Sequence, residues 1–259
     1  MSSKRKKKGS VISTIIMLIA AAVFVVALYN VVMILREYKA GEEEYEKIAG
    51  DAIEIEEPED VDDDGYRVDF EKLLSLNEDT VAWIRFPKEP AIINYPVVQG
   101  DDNEYYLHKT FTANENTLGT IFIDTDNAAD FSDPNTIIYG HRMRDGSMFR
   151  KIQDYEDKDF WEENPIFYIY TVDGRRLTYE VYSVGQVEDT SDTYLIGFAD
   201  EDSFADFLAM TKEVSIYDTG REVDTNDRIV TLSTCTSASD NHRFVVRGVL
   251  TAEWEIPEE

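Results

Sequence analysis

The sequence is poor in the residues that most often carry chemistry. One cysteine, Cys235, and three histidines stand among 259 residues. A single cysteine leaves no partner for an intramolecular disulfide. Basic residues are scarce as well: 25 Lys and Arg face 53 Asp and Glu, for a formal charge of −28. Five of those bases fall in residues 1–35, which hold no acid, so residues 36–259 carry 20 bases against 53 acids, or −33. A body this acidic is repelled by phosphate backbones and anionic headgroups, which excludes DNA and RNA as partners. Internal repeats are absent, and only one long apolar run occurs.

That run is Val11 to Leu35, about 25 residues without a charge, preceded by Lys4-Arg5-Lys6-Lys7-Lys8. About 20 apolar residues span a bilayer, so the segment is long enough to cross with some tilt. A cleaved signal peptide has a shorter apolar region ending at a small-residue site, and Tyr29 to Met33 offers none. The reading is an uncleaved single-pass anchor in contact with membrane lipid. The basic cluster sets the N-terminus in the cytoplasm and everything after residue 36 outside. Residues 36–65 then turn strongly acidic. Arg36 to Ile48 continues the helix, and the remainder reads as a self-repelling solvated stalk. Its carboxylates do not have the spacing of an EF-hand loop, and no metal site or cofactor is expected. The expected layout is a basic tail over 1–9, an anchor over 10–35, a stalk over 36–65 and a folded domain over 66–259.

The 43 % hydrophobic content is ample for a core. After a short amphipathic helix ending near Leu76, eight β-rich runs follow: Val81–Phe86, Ala91–Val98, Thr117–Asp124, Asn135–Tyr139, Ile166–Thr171, Arg176–Val187, Arg228–Thr234 and Arg243–Glu253. Val172-Asp173-Gly174 between two of them is a hairpin signal. Helical patterns are confined to Asn103–His108, Ser147–Asp154 and Ser203–Lys212. Strands dominate and do not alternate with helices, which predicts a mainly β barrel or sandwich with helical insertions, not a doubly wound sheet.

Cys235 closes the apolar run Ile229 to Leu232 and borders a polar loop. On the outer side of a membrane a lone thiol is an inert core residue, an intermolecular bridge or a nucleophile. Its place at a strand end beside a loop, both fixed and accessible, favours the last. Only a thiolate attacks, and an imidazolium is the usual means of forming one. His108 sits beside aromatics and reads as surface or structural. His242 precedes Arg243 on the last strand, so the two point to opposite faces. His141 follows Ile137-Ile138-Tyr139-Gly140, a strand ending in a glycine that frees the backbone to place the next residue, and is the candidate acid/base. An oxyanion needs a donor. Arg243 and Arg247 share a strand face with Val245 and Val249; Arg243, nearer the loop, is preferred.

These residues resemble the sortase transpeptidases of Gram-positive surfaces. Thr231-Leu232-Ser233-Thr234-Cys235 with Arg243 downstream is similar to that family's Thr-Leu-x-Thr-Cys and arginine, with Tyr139-Gly140-His141 about 95 residues upstream. Ile93-Asn94-Tyr95-Pro96-Val97-Val98-Gln99-Gly100, Asn103-Glu104-Tyr105-Tyr106-Leu107, Gly119-Thr120-Ile121-Phe122-Ile123-Asp124, Met148-Phe149 and the helical stretch over 200–214 resemble class B specifically. The similarity covers about residues 67–253. It implies a closed eight-stranded β-barrel. It further implies Cys235 as nucleophile, His141 as acid/base, Arg243 as oxyanion donor, and Asn94, Ser233 and Thr234 as substrate-site positions. The implied reaction cleaves a sorting motif on a surface protein through a thioacyl-enzyme, which a peptidoglycan amine resolves. Its implied active form is the thiolate–imidazolium pair. Arg247 departs from the pattern, since a small or apolar residue is expected there. No second apolar span follows the barrel, unlike the pilin-polymerising class C. A hydrolytic cysteine peptidase using the same residues, and a non-enzymatic adhesin, are the rival readings.

Overall fold

The computed structural model describes residues 4–58, 64–236 and 241–256, with side chains from residue 11 onward. The first three residues of the basic tail, residues 59–63 of the acidic stretch and residues 237–240 of the loop after Cys235 lie outside the described residues. The chain divides into two compact units, Met1–Glu43 and Glu44–Glu259.

The first unit is helical, formed by most of α1 (Lys4–Ala52). Its apolar stretch, rich in Leu, Ile, Ala and Val and free of proline, is fully exposed with a mean hydropathy of 2.9 and is long and apolar enough to cross a membrane.

The second unit opens at Glu44, not near Tyr66 as composition suggests. Tyr45, Ile48 and Ala52, the last turns of α1, are buried. They lie on one helical stripe, an apolar signal too sparse to show through the surrounding acid. Strand β1 (Ile53–Ile55) then pairs antiparallel with β2 (Tyr66–Val68), so the expected stalk is partly a hairpin. Asp64 is likewise no solvated spacer. Its carboxylate accepts from Arg85 (2.8 Å) and Tyr170 (2.6 Å) and lies 3.2 Å from Arg176. Helix α2 (Phe70–Leu76) starts at Asp69, whose side chain caps the Lys72 N–H.

Eight strands follow, in the segments expected: β3 (Thr80–Arg85), β4 (Asn94–Val98), β5 (Ile121–Ile123), β6 (Asn135–Tyr139), β7 (Ile166–Thr171), β8 (Arg175–Glu188), β9 (Ile229–Cys235) and β10 (His242–Glu255). They form a closed barrel in the order β10, β8, β7, β3, β4, β5, β6, β9. Closure removes the exposed edges that an open sheet would present. Two pairs are parallel, β4 with β5 and β6 with β9; the other six are antiparallel. A parallel pair needs a crossover. The one between β4 and β5 is the long segment 99–120, which holds a 3-10 turn at Tyr105–Leu107. The one between β6 and β9 contains α3 (Lys158–Glu163), β7, β8 and α4 (Glu201–Glu213). Helix α4 is opened by a capping box between Asp200 and Ser203. It packs Phe204, Phe207 and Leu208 on Tyr182, Ile229 and Val249, each such side chain contributing about 1.5–3 kcal/mol by burial. In the barrel, Phe167 stacks on Tyr179 at 5.3 Å. Gly248 makes room for them, since a Cβ there would meet Phe167 at 2.6 Å.

Candidate active site

Strand pairing alone brings the three chemistry-bearing residues to one mouth of the barrel. β6 and β9 run parallel with Tyr139 opposite Ser233, and the Gly140 N–H donates to the Ser233 carbonyl at 3.1 Å. Two residues further along each chain come His141 and Cys235. β10 returns antiparallel with Arg243 opposite Cys235. The thiol is exposed. His141, Cys235 and Arg243 line a single cleft of about 290 Å³, together with Gly140, Ser233 and Thr234.

Gly140 serves a different purpose from the one expected. A Cβ at this position would lie 2.5 Å from Ile121 Cδ1 and 2.6 Å from the Phe149 ring. The site needs space rather than backbone freedom.

The imidazole is fixed from one side. His141 Nε2 lies 2.7 Å from the Leu107 carbonyl. A carbonyl only accepts, so Nε2 carries a proton and Nδ1 is the nitrogen that gains and loses one. Burial holds the His141 pKa below its ordinary value; the Leu107 carbonyl opposes that shift, and His108 reinforces it.

The two arginines of β10 part company. Arg243 faces the cleft and lies 3.5 Å from Asp189. It also borders a second depression, lined by Tyr139, Asp189, Asp192 and Tyr194. Arg247 is fully buried. Its Nη1 and Nη2 donate to Ser183 Oγ (3.0 Å) and Thr193 Oγ1 (2.8 Å), so it ties the 3-10 turn Asp192–Tyr194 to β8. Its partners are hydroxyls, and burial lowers its pKa. Of the two, Arg243 is the one that lines the cleft.

Of the weaker candidates, Ser233 and Thr234 line the cleft. Ser233 shares a hydrogen bond with Tyr194 Oη (2.9 Å), and buried Thr234 Oγ1 has no hydrogen-bond partner among the described residues. Asn94 does not line the cleft. Its side-chain oxygen accepts from Tyr66 Oη and Trp83 Nε1, both at 2.7 Å, at the start of β4. Asn103 does line the cleft and is held by Asp124 (2.9 Å) and the Thr125 N–H (2.9 Å).

The sortase-domain family model matches residues 87–251. The chain belongs to the sortase family. Among curated proteins it is 39 % identical to sortase B of Listeria monocytogenes over 188 residues, which cover 71 % of this chain and 74 % of that one. It is 35 % identical to sortase B of Staphylococcus aureus over 173 residues, covering 66 % and 69 %. Among solved structures, sortase B from B. anthracis in complex with AAEK1 aligns with a TM-score of 0.72 at 32 % identity, over 84 % of this chain and 99 % of that one. A Staphylococcus aureus sortase B–substrate complex aligns with a TM-score of 0.71 at 28 % identity, over 83 % and 98 %. The class is therefore B, and the chain is a sortase-type cysteine transpeptidase.

Cleft residues of this sortase that the sequence reading did not single out are Asn103, Leu107, Phe122 and Tyr139. Tyr139 donates to Asp124 (2.8 Å) and stacks near Tyr194 at 6.1 Å. Leu107 contributes through its backbone carbonyl, for which no side-chain pattern is diagnostic. Asn103 and Tyr139 both lie within motifs of the resemblance, which was the one available signal.

Proposed function

We propose that this sortase cleaves a C-terminal sorting motif of a surface protein and transfers the new carboxyl end to a peptidoglycan amine. The Cys235 thiolate attacks the scissile carbonyl carbon. The tetrahedral oxyanion that forms is stabilised by the Arg243 guanidinium. The C–N bond breaks as His141 gives its Nδ1 proton to the leaving amine, which leaves a thioester on Cys235. The wall amine then attacks that thioester, its proton passes to His141, the C–S bond breaks and a new peptide bond results. Dividing one acyl transfer into two steps is the gain of covalent catalysis. Ser233, Thr234 and Asn103 line the cleft where the motif docks.

The observation that carries this reading is the register. Parallel β6–β9 and antiparallel β9–β10 bring His141, Cys235 and Arg243 to the same level of adjacent strands. The localisation proposed is a single-pass membrane protein, with its N-terminus in the cytoplasm and residues 44–259 outside. It rests on the Lys4 to Lys8 cluster beside the apolar run.

The test is intact mass spectrometry of the protein after exposure to a small library of sorting-motif peptides. An adduct on Cys235 is expected, and its mass identifies the motif. Adding a wall-derived amine should convert the adduct to an amide product. Free acid as the sole product, with amine present, would replace transfer with hydrolysis; absence of any adduct would sink the thioacyl route.

A further inference from the structure

The end of α1 lies against the loop that holds the histidine, and one side chain there touches both of its supports. Tyr45 is buried. Its hydroxyl donates to the Gly119 carbonyl at 2.7 Å and lies 3.1 Å from Thr120 Oγ1. Burial raises its pKa, so the phenol keeps its proton and remains a donor. Gly119 sits at φ +63, where a Cβ would lie 2.8 Å from His141 Cδ2, 2.8 Å from the Tyr106 carbonyl and 2.9 Å from the Leu107 carbonyl. The backbone at Gly119 therefore packs directly on the imidazole and on the carbonyl that accepts from it. The next residue closes the same knot: Thr120 N–H donates to the Tyr106 carbonyl (2.9 Å) and Thr120 Oγ1 to the Lys109 carbonyl (2.8 Å).

The ring of Tyr45 reaches the other support. It meets Tyr95 edge-on at 5.5 Å, and Tyr95 Oη accepts from the Met148 N–H at 3.3 Å. The following residue, Phe149, donates its N–H to the His141 carbonyl at 3.0 Å. One residue back along the chain, Glu44 accepts from Thr112 N–H (3.0 Å) and Thr112 Oγ1 (2.8 Å), which pins the far side of the 106–120 loop.

We propose that Tyr45 is a positioning residue for His141, bracing the Leu107–Gly119 side of the imidazole through its hydroxyl and the Met148–Phe149 side through its ring. The proposal rests on the reading of His141 as the acid/base. Tyr45 touches no reacting atom. It acts through Gly119, whose backbone packs on the Leu107 carbonyl that fixes the imidazole, and so helps set which nitrogen faces Cys235. Among the described residues, the titratable and charged groups facing His141 are His108 beside Leu107, Cys235 ending β9 and Arg243 near the start of β10.

The test uses the full-length protein in lipid nanodiscs and Tyr45→Phe, which keeps the ring and removes the O–H. The imidazole of His141 is followed by NMR through a pH titration, its signal assigned by loss in His141→Gln. A slack Leu107 carbonyl withdraws the contact that opposes the burial shift. The His141 midpoint should therefore move down. With the peptide found by acyl-enzyme trapping, kcat should fall about three- to tenfold with KM little changed, the size expected from one lost hydrogen bond that orients a catalytic group. Tyr217→Phe is the control, because it deletes a comparable hydroxyl-to-carbonyl bond, to Tyr155 at 2.8 Å, away from the cleft. Wild-type kcat and an unmoved His141 midpoint in Tyr45→Phe would overturn the assignment, and so would an equal effect of Tyr217→Phe. The acid/base reading fails separately, if His141→Gln turns over like wild type, and that result leaves the titration of Tyr45→Phe still able to decide the brace.

Discussion

Arg243 and Arg247 are four residues apart on one face of one strand, yet they belong to two unlike regions. At the cleft, Arg243 is partly exposed beside an exposed thiol, and Thr234 Oγ1 has no hydrogen-bond partner among the described residues. Beneath the Asp192–Tyr194 turn, Arg247 is sealed from water and held by two hydroxyls. A buried charge that keeps its partners is a structural tie whose removal costs stability. A cation with water and an open cleft before it is available to a substrate. Residue type and spacing do not separate the two; burial does.

The sharpest way to break this contrast is Cys235→Ser, which removes the nucleophile from the open region. Transpeptidation should fall by at least about three orders of magnitude with the melting temperature unchanged; a thermal scan beside an end-point assay checks both. Arg243→Ala comes next. Loss of one oxyanion donor typically costs about 10²–10³ in kcat, read by steady-state kinetics, and an effect confined to KM would assign Arg243 to binding alone. Arg247→Met sharpens the contrast from the other side. It removes the guanidinium that donates to the Ser183 and Thr193 hydroxyls, which should lower unfolding free energy by about 1–3 kcal/mol in urea titration, with the rate constant of acylation close to wild type. A large acylation defect at full stability would reverse the roles of the two arginines.

The smallest effect concerns pH. His141 has its folded pKa held below the unfolded value of about 6.5. The folded state thus resists a proton that the unfolded chain accepts. Stability from this group is complete above about pH 6.5 and declines as pH falls through the window down to the folded value. In kinetics, the acid limb of kcat/KM should have its midpoint below about 6.5. A midpoint above that value would mean that the Leu107 carbonyl outweighs burial.

Much of the barrel was legible beforehand because a strand announces itself locally. All eight segments show alternation or apolar runs bounded by turn residues, and the hairpin at Val172-Asp173-Gly174 falls where β7 meets β8. The segment over 44–55 was not legible. Tyr45, Ile48 and Ala52 are three apolar residues within an acidic stretch, and only the surface they meet makes them core. The surroundings of Asn94 were not legible for a related reason: an asparagine at a strand start can serve a substrate or a tryptophan, and here its side-chain oxygen accepts from Trp83 and Tyr66.

The amino-acid sequence by itself determined the lone thiol at the end of one strand, the histidine after a glycine at the end of another, the apolar run behind its basic cluster, and the order of eight strands. These follow from periodicity, charge and residue scarcity, all of which act over a few neighbours. Tertiary structure alone decided that β6 and β9 run parallel in the register that levels His141 with Cys235, that the Leu107 carbonyl accepts a hydrogen bond from Nε2, and that Arg243 rather than Arg247 meets the cleft. Each of these depends on which surface lies opposite a residue. That surface comes from chain tens of residues away, and no local pattern encodes it.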